Sequence, residues 1–167
     1  MNRDELLKKV ISFNEEIHRE NYQHLIGLKE ELDETSIYAK YGDIFTKTNI
    51  EEFKKEMPSS LLEKRRKNYF LGFLIGNYMG TKLSKLSDEA AFFEAKAIVD
   101  FKGNKIAYRQ LRKLVMGQEN KEDRDLVYQA EKPVKKKLLQ YSIKILKVEL
   151  KIIKDLGYKG YIDLISR

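Results

Sequence analysis

The chain has 167 residues, 42% hydrophobic and 35% charged, with a formal net charge of +7; that composition suits one compact domain over 1–167, not a disordered or fibrous chain. It has no cysteine and two histidines, which excludes a disulfide scaffold, a thiol nucleophile and thiolate-held zinc or iron–sulfur clusters, and leaves little for a His-rich metal site. No run approaches the ~20 apolar residues of a membrane span, and the start MNRDELLKKV has no apolar leader core, so a soluble, cytoplasmic protein with no membrane partner is expected.

The first segment, Asp4 to Leu32, has no proline and one glycine. Leu6, Val10, Phe13 and Ile17 step by four, three and four, the stripe of an amphipathic helix, with Asp4 as its N-cap. Asn21 and His24 continue that stripe as polar residues at the core edge, bonded locally or to water. A short helix is expected over Thr35–Tyr41, stopped by Gly42. Another follows over Ile50–Met57, capped by Thr48 or Asn49 and ended by Pro58. Ser59 and Ser60 then cap a helix from Leu61 to about Met79. Gly72, Gly76 and Gly80 recur on one of its faces. A glycine inside a helix costs ~1 kcal/mol against alanine, so the three predict a close-packing face with another helix backbone passing near.

Ser87 opens a further predicted helix, Asp88–Val99. Val99/Phe101 and Ile106/Tyr108 then alternate about Lys102-Gly103-Asn104-Lys105, which reads as a β-hairpin at about 98–108. Helices resume over Arg109–Met116, near Lys121–Lys132, and from Pro133. In the last, Leu139, Ile143, Leu146, Leu150 and Ile153 form one stripe, and Tyr141, Ile145, Val148 and Ile152 a second. At ~100° per residue they join into an apolar arc of roughly 200°, with Lys144, Lys147, Lys151 and Lys154 on the remaining side. A helix so patterned is expected to be central. Ser142 and Glu149 fall inside the arc, and a buried carboxylate needs a cation or a donor. Glu149 is the one polar residue expected to be buried and paired. The fold class is mainly α: an elongated bundle with two long helices, several short ones and one hairpin.

Chemistry-bearing motifs are scarce. There is no His-Glu-x-x-His, Gly-x-Ser-x-Gly, Walker loop or Gly-x-Gly-x-x-Gly. His18 and His24 do not share a helix face, so they supply no convergent metal ligands. Residues 1–57 carry nine basic and 13 acidic side chains, a net of −4; residues 58–167 carry 24 and 13, a net of +11. The basic runs Lys64-Arg65-Arg66-Lys67 and Lys132–Lys137 are unaccompanied by a nucleic-acid motif. Charge of this kind supports an acidic partner or weak polynucleotide binding only generically.

Three stretches carry a resemblance: Tyr22–Leu32 with Ile37-Tyr-Ala-Lys-Tyr-Gly42, Glu94–Leu111, and Ile153–Leu164 with its Leu156-Gly157-Tyr158-Lys159-x-Tyr161-x-x-Leu164. Together they resemble the N-terminal helical part of zinc metallopeptidases of the oligoendopeptidase F and thimet-oligopeptidase type, similar in fold to the angiotensin-converting-enzyme group. The resemblance implies a non-catalytic domain or fragment forming one wall of a peptide channel. It implies zinc only for a missing catalytic half, which would lie downstream. No catalytic or metal-binding residue of the family has a counterpart here, so no cofactor and no cleavage is expected of this chain. The implied partners are that missing half and a peptide substrate, with the lysine row and glycine face as surfaces the missing half would cover. The alternative is a stand-alone helical interaction module that self-associates or binds an acidic partner, including weak nucleic-acid binding through residues 58–167.

Overall fold

The computed structural model describes residues 3–117 and 120–165, without the side chains of Arg3, Asp4 and Arg112. In chain order the elements are α1 (Arg3–Leu25), α2 (Glu34–Lys40), α3 (Lys47–Lys55), α4 (Leu61–Lys96), β1 (Ile98–Phe101), β2 (Asn104–Ala107), α5 (Tyr108–Met116), α6 (Lys121–Asp155) and α7 (Tyr161–Ile165). The fold is mainly α. Two long helices, α4 and α6, have 36 and 35 residues, about 54 and 52 Å at 1.5 Å per residue.

Helix α1 stops at Leu25, short of the expected Leu32. Gly27 takes φ 79°, and the amide of Leu28 reaches back to the Gln23 carbonyl at 3.0 Å, a left-handed C-terminal cap that glycine adopts without strain. The cap expected at Asp4 falls on a side chain outside the described ones. Thr46, rather than Thr48 or Asn49, caps α3 by accepting from the Asn49 amide at 3.1 Å.

The largest departure is that α4 is unbroken. The expected helices Leu61–Met79 and Asp88–Val99 are one element, which ends at Lys96 and leaves Ile98 and Val99 to β1. Leu83 and Ser84, in the presumed break, are buried, and packing there overrides the weak propensity of Gly80, Thr81 and Ser84. Helix α6 likewise runs through Pro133. Proline removes one ladder donor there, yet Val127 and Val134 on either side are buried in one cluster and hold the helix together.

The hairpin pairs β1 and β2 antiparallel, with Phe101 opposite Asn104. Lys102 and Gly103 take φ 53° and 78°, the two positive values of a type I′ turn. The turn centre is therefore Lys102-Gly103, and Asp100 accepts from the Gly103 amide at 3.0 Å.

Two apolar clusters result. The larger joins α1, α3, α4 and the end of α6 through Phe13, Ile44, Ile50, Leu74, Ile75 and Ile153. The smaller joins the hairpin, α5 and the first half of α6 through Val99, Phe101, Leu111, Val127 and Val134. Helix α3 also seals the end of α6: Lys47 and Lys54 donate to the carbonyls of Asp155 and Leu156, each at 2.9 Å, where the helix leaves acceptors unpaired.

Candidate functional site

A groove of about 870 Å³ lies at the start of α4. Three segments build it. Helix α1 contributes Leu6 and Leu7; α3 and its exit contribute Phe53, Glu56, Met57 and Pro58; the first turns of α4 contribute Glu63, Arg65, Arg66, Lys67, Tyr69 and Phe70. Phe53 and Phe70 meet ring to ring at 4.9 Å and join the main core. Met57 and Tyr69 stand out into solvent, 94% and 83% exposed.

The charges in the groove divide into occupied and free ones. Ser60 caps α4, accepting from the Glu63 amide at 3.2 Å, while Glu63 accepts from the amide and hydroxyl of Ser59 at 2.7 and 2.6 Å. This reciprocal arrangement is a capping box shifted by one residue. The Ser59 hydroxyl and amide hold the Glu63 carboxyl below its usual range. Lys67 donates to the carbonyls of Lys54 and Glu56 and so closes the end of α3. Arg65 and Arg66 are exposed and make no hydrogen bond or ion pair among the described residues. Two guanidinium forks therefore stand beside an apolar floor without a bonded partner, with Glu56 and Glu63 on the same rim and the Glu63 charge felt by Arg66. A second, smaller cleft of about 420 Å³ lies between α2 and α4, near Tyr38, Phe45, Tyr78 and Ser84.

Buried polar groups gather elsewhere, between α1, α2 and the C-terminal part of α4. Glu20, buried, accepts from Lys29 at 2.6 and 2.8 Å and from the Asp33 amide at 2.7 Å. It fixes the connection that follows α1. Asp88 accepts from the amides of Glu34 and Thr35 at 3.1 and 3.0 Å and from the Thr35 hydroxyl at 2.6 Å, holding the start of α2 against α4. Burial raises the Glu34 carboxyl above its usual range, against the pull of the Asn21 amide bonded to it at 2.7 Å. His24 is buried, and its Nε2 meets the Arg109 guanidinium at 2.7 Å. Arginine has only protons to give, so Nε2 accepts and the ring proton sits on Nδ1, which is buried without a partner among the described residues. Among those residues, no group of three or more His, Asp or Glu side chains is arranged to hold a metal ion.

The site residues read from the sequence divide. Glu149 is half-buried, not buried, and its partner is the Tyr161 hydroxyl, which donates to it; the buried, paired carboxylate is Glu20. Burial, then the bond to Glu149, pushes the Tyr161 hydroxyl up to about 12. Gly72 and Gly76 do not form a close-packing face: a Cβ at either would meet nothing within 4 Å. Gly80 does make a close approach, but to a side chain. A Cβ there would lie 2.2 Å from the Tyr38 hydroxyl and 2.3 Å from Cζ. His24 is expected at the core edge and is buried; the residue it bonds, Arg109, lies 85 positions away. Asn21 bonds locally as expected, to the Ile17 carbonyl at 2.9 Å.

The residues that carry the peptidase resemblance have roles in this fold. Leu156 and Tyr158 are buried in the main core, Tyr161 and Leu164 pack against it, and Gly157 has φ 84° at the turn after α6. No helix among the described residues is long and apolar enough to cross a membrane. No family model, no curated protein and no solved structure matches this chain.

Proposed function

We propose that the chain is a helical binding module whose groove between α1, α3 and α4 takes an acidic polypeptide segment carrying a bulky apolar side chain. The observation that carries this reading is the pair of unpaired arginines, Arg65 and Arg66, beside the apolar lining of Leu7, Met57, Phe53 and Phe70. A guanidinium fork matches a carboxylate in two parallel bonds. A ligand site of this kind is mostly apolar, with a few polar groups that fix orientation. The apolar lining gives a bulky side chain a place that a phosphate backbone cannot use, so a polypeptide fits better than a nucleic acid. The whole-chain charge of +7 adds attraction for acidic partners.

The test is fluorescence anisotropy with a labelled synthetic peptide in which Asp and Glu flank Leu and Phe. Saturable binding that weakens as salt rises is expected, with about tenfold or greater loss in the Arg65→Glu/Arg66→Glu variant. Equal binding of a peptide with lysine in place of its acids would overturn the reading, as would tighter binding of a single-stranded oligonucleotide. A second reading, one wall of a larger peptidase of the oligoendopeptidase type, is favoured by the open face of α4 at Gly72 and Gly76. A His-Glu-x-x-His in the reading frame beyond Arg167 would support it.

A further inference from the structure

Helix α6 has two apolar stripes; the fold covers one of them and, of the other, only its last member, Ile153, which is buried in the main core. Ile145, Val148 and Ile152 turn to the core. Leu139, Ile143, Leu146 and Leu150 are 57, 43, 47 and 36% exposed. At ~100° per residue the open stripe lies about 150° from the covered one, nearly opposite the core. Its spacing of four, three and four is the seam along which one helix receives another. The sequence predicts a helix in contact with neighbours on most sides; among the described residues its outer side from Leu139 to Leu150 is left exposed.

The borders of the stripe say what suits it. Lys136, Lys147 and Lys154 lie about 50–70° from its midline on one side. All three are exposed and make no ion pair among the described residues. On the other side lie Ser142, bonded to the Leu138 carbonyl at 3.2 Å, and Glu149, engaged by Tyr161. A second copy packed antiparallel would set this lysine edge against itself. A parallel copy would need Glu149, which Tyr161 already holds. The net charge of +7 opposes self-association in either case. A membrane surface wants a broad apolar face with aromatic anchors, and this stripe is narrow and wholly aliphatic.

We infer that the outward face of α6 is a docking site for a partner's amphipathic helix, with leucine-like residues at four-three spacing and acidic residues along the edge that meets Lys136, Lys147 and Lys154. The site is separate from the groove and does not rest on it. Recognition is of the helix-on-stripe kind: apolar side chains interlock and the charged edge sets orientation and partner choice.

The test uses the full chain and two synthetic helical peptides with the same leucine seam, one edged with Glu and one with Lys. The Glu-edged peptide is expected to bind and the Lys-edged one is not. Leu146→Glu is expected to weaken binding on the order of 30-fold, as for a central anchor. The position is half exposed, so that variant keeps its fold. Lys136→Glu/Lys147→Glu/Lys154→Glu is expected to exchange the preference, binding the Lys-edged peptide. Arg65→Glu/Arg66→Glu leaves this binding within about twofold, which separates it from the groove. Four results would each overturn the proposal: no binding of the Glu-edged peptide, no exchange of preference, sedimentation as a dimer that Leu146→Glu dissolves, or tighter binding to anionic phosphatidylserine vesicles than to the peptide.

Discussion

The three glycines of α4 have one spacing and two environments, which makes them a sensitive probe of the packing. Replacing Gly72 or Gly76 by alanine adds a methyl group in open space and removes the helix-interior penalty of glycine. Each change is expected to stabilise the chain by ~0.5–1 kcal/mol. The same change at Gly80 drives a Cβ to 2.2–2.7 Å of three Tyr38 ring and hydroxyl atoms. Tyr38 cannot simply swing aside. Its ring packs on Phe13 and Phe45, with centroids at 5.3 and 6.2 Å, and its hydroxyl donates to Asn77 at 3.1 Å. Overpacking costs about 1–3 kcal/mol and loss of the Asn77 bond about 0.5–1.5 kcal/mol, against the ~1 kcal/mol gained in propensity. The expected net is a loss of about 1–3 kcal/mol for Gly80→Ala. Urea unfolding of the three variants measures it, and in a chain of this size 1 kcal/mol shifts the midpoint temperature by roughly 2–4 °C. In a Tyr38→Ala background the Gly80→Ala penalty is expected to vanish. If Gly80→Ala stabilised the chain as much as Gly72→Ala, the packing of α2 on α4 described above would be wrong.

Other variants test other parts of the structure. His24→Leu removes a buried Nδ1 donor that has no acceptor, and exposed Arg109 can turn to water; stability unchanged or raised by up to ~1 kcal/mol is expected, and a loss above ~2 kcal/mol in thermal unfolding would contradict the tautomer assigned. Glu34 has its carboxyl raised by burial, so the folded state binds its proton more tightly than the unfolded state and stability falls as pH rises through that range; Glu34→Gln is therefore expected to be more stable than the parent at pH 7 and equal to it at pH 3, in parallel denaturation curves. Tyr38 and Tyr161 are both pushed up to about 12, chiefly by burial, so absorbance titration should show both phenols ionising late, with Tyr41 also raised by its bond to Glu16. Stability should decline above pH 10, where the unfolded phenols lose protons first. In Glu149→Gln the Tyr161 phenol is expected to ionise earlier but still above 10, because burial persists.

Local signals were the legible ones. The 4-3-4 stripe of α1, the Ser60 cap, the stop at Pro58 and the Lys-Gly-Asn-Lys hairpin each depend on a few neighbouring residues, and each is found close to its expected place. What long-range packing decides was not legible. Gly80 to Ser87 reads as a break until Leu83 and Ser84 are seen buried. His24 reads as a core-edge residue because Arg109 comes from another element. The arc of α6 was visible as an arc, but periodicity cannot say which half of it the rest of the chain covers. The groove has three walls from distant segments, and the only hint of it in the sequence was the Lys64–Lys67 run, which is unspecific without knowing that Lys67 is engaged and Arg65 and Arg66 are not.

The most direct measurement of the central claim is the site of binding itself: amide shifts of the isotope-labelled chain during titration with the acidic Leu/Phe peptide. Shifts concentrated at Leu6–Leu7, Phe53–Met57 and Arg65–Phe70, and absent in Arg65→Glu/Arg66→Glu, are expected. Shifts spread evenly over the lysine-rich surface, or none at millimolar peptide, would contradict a binding module with its site at the start of α4.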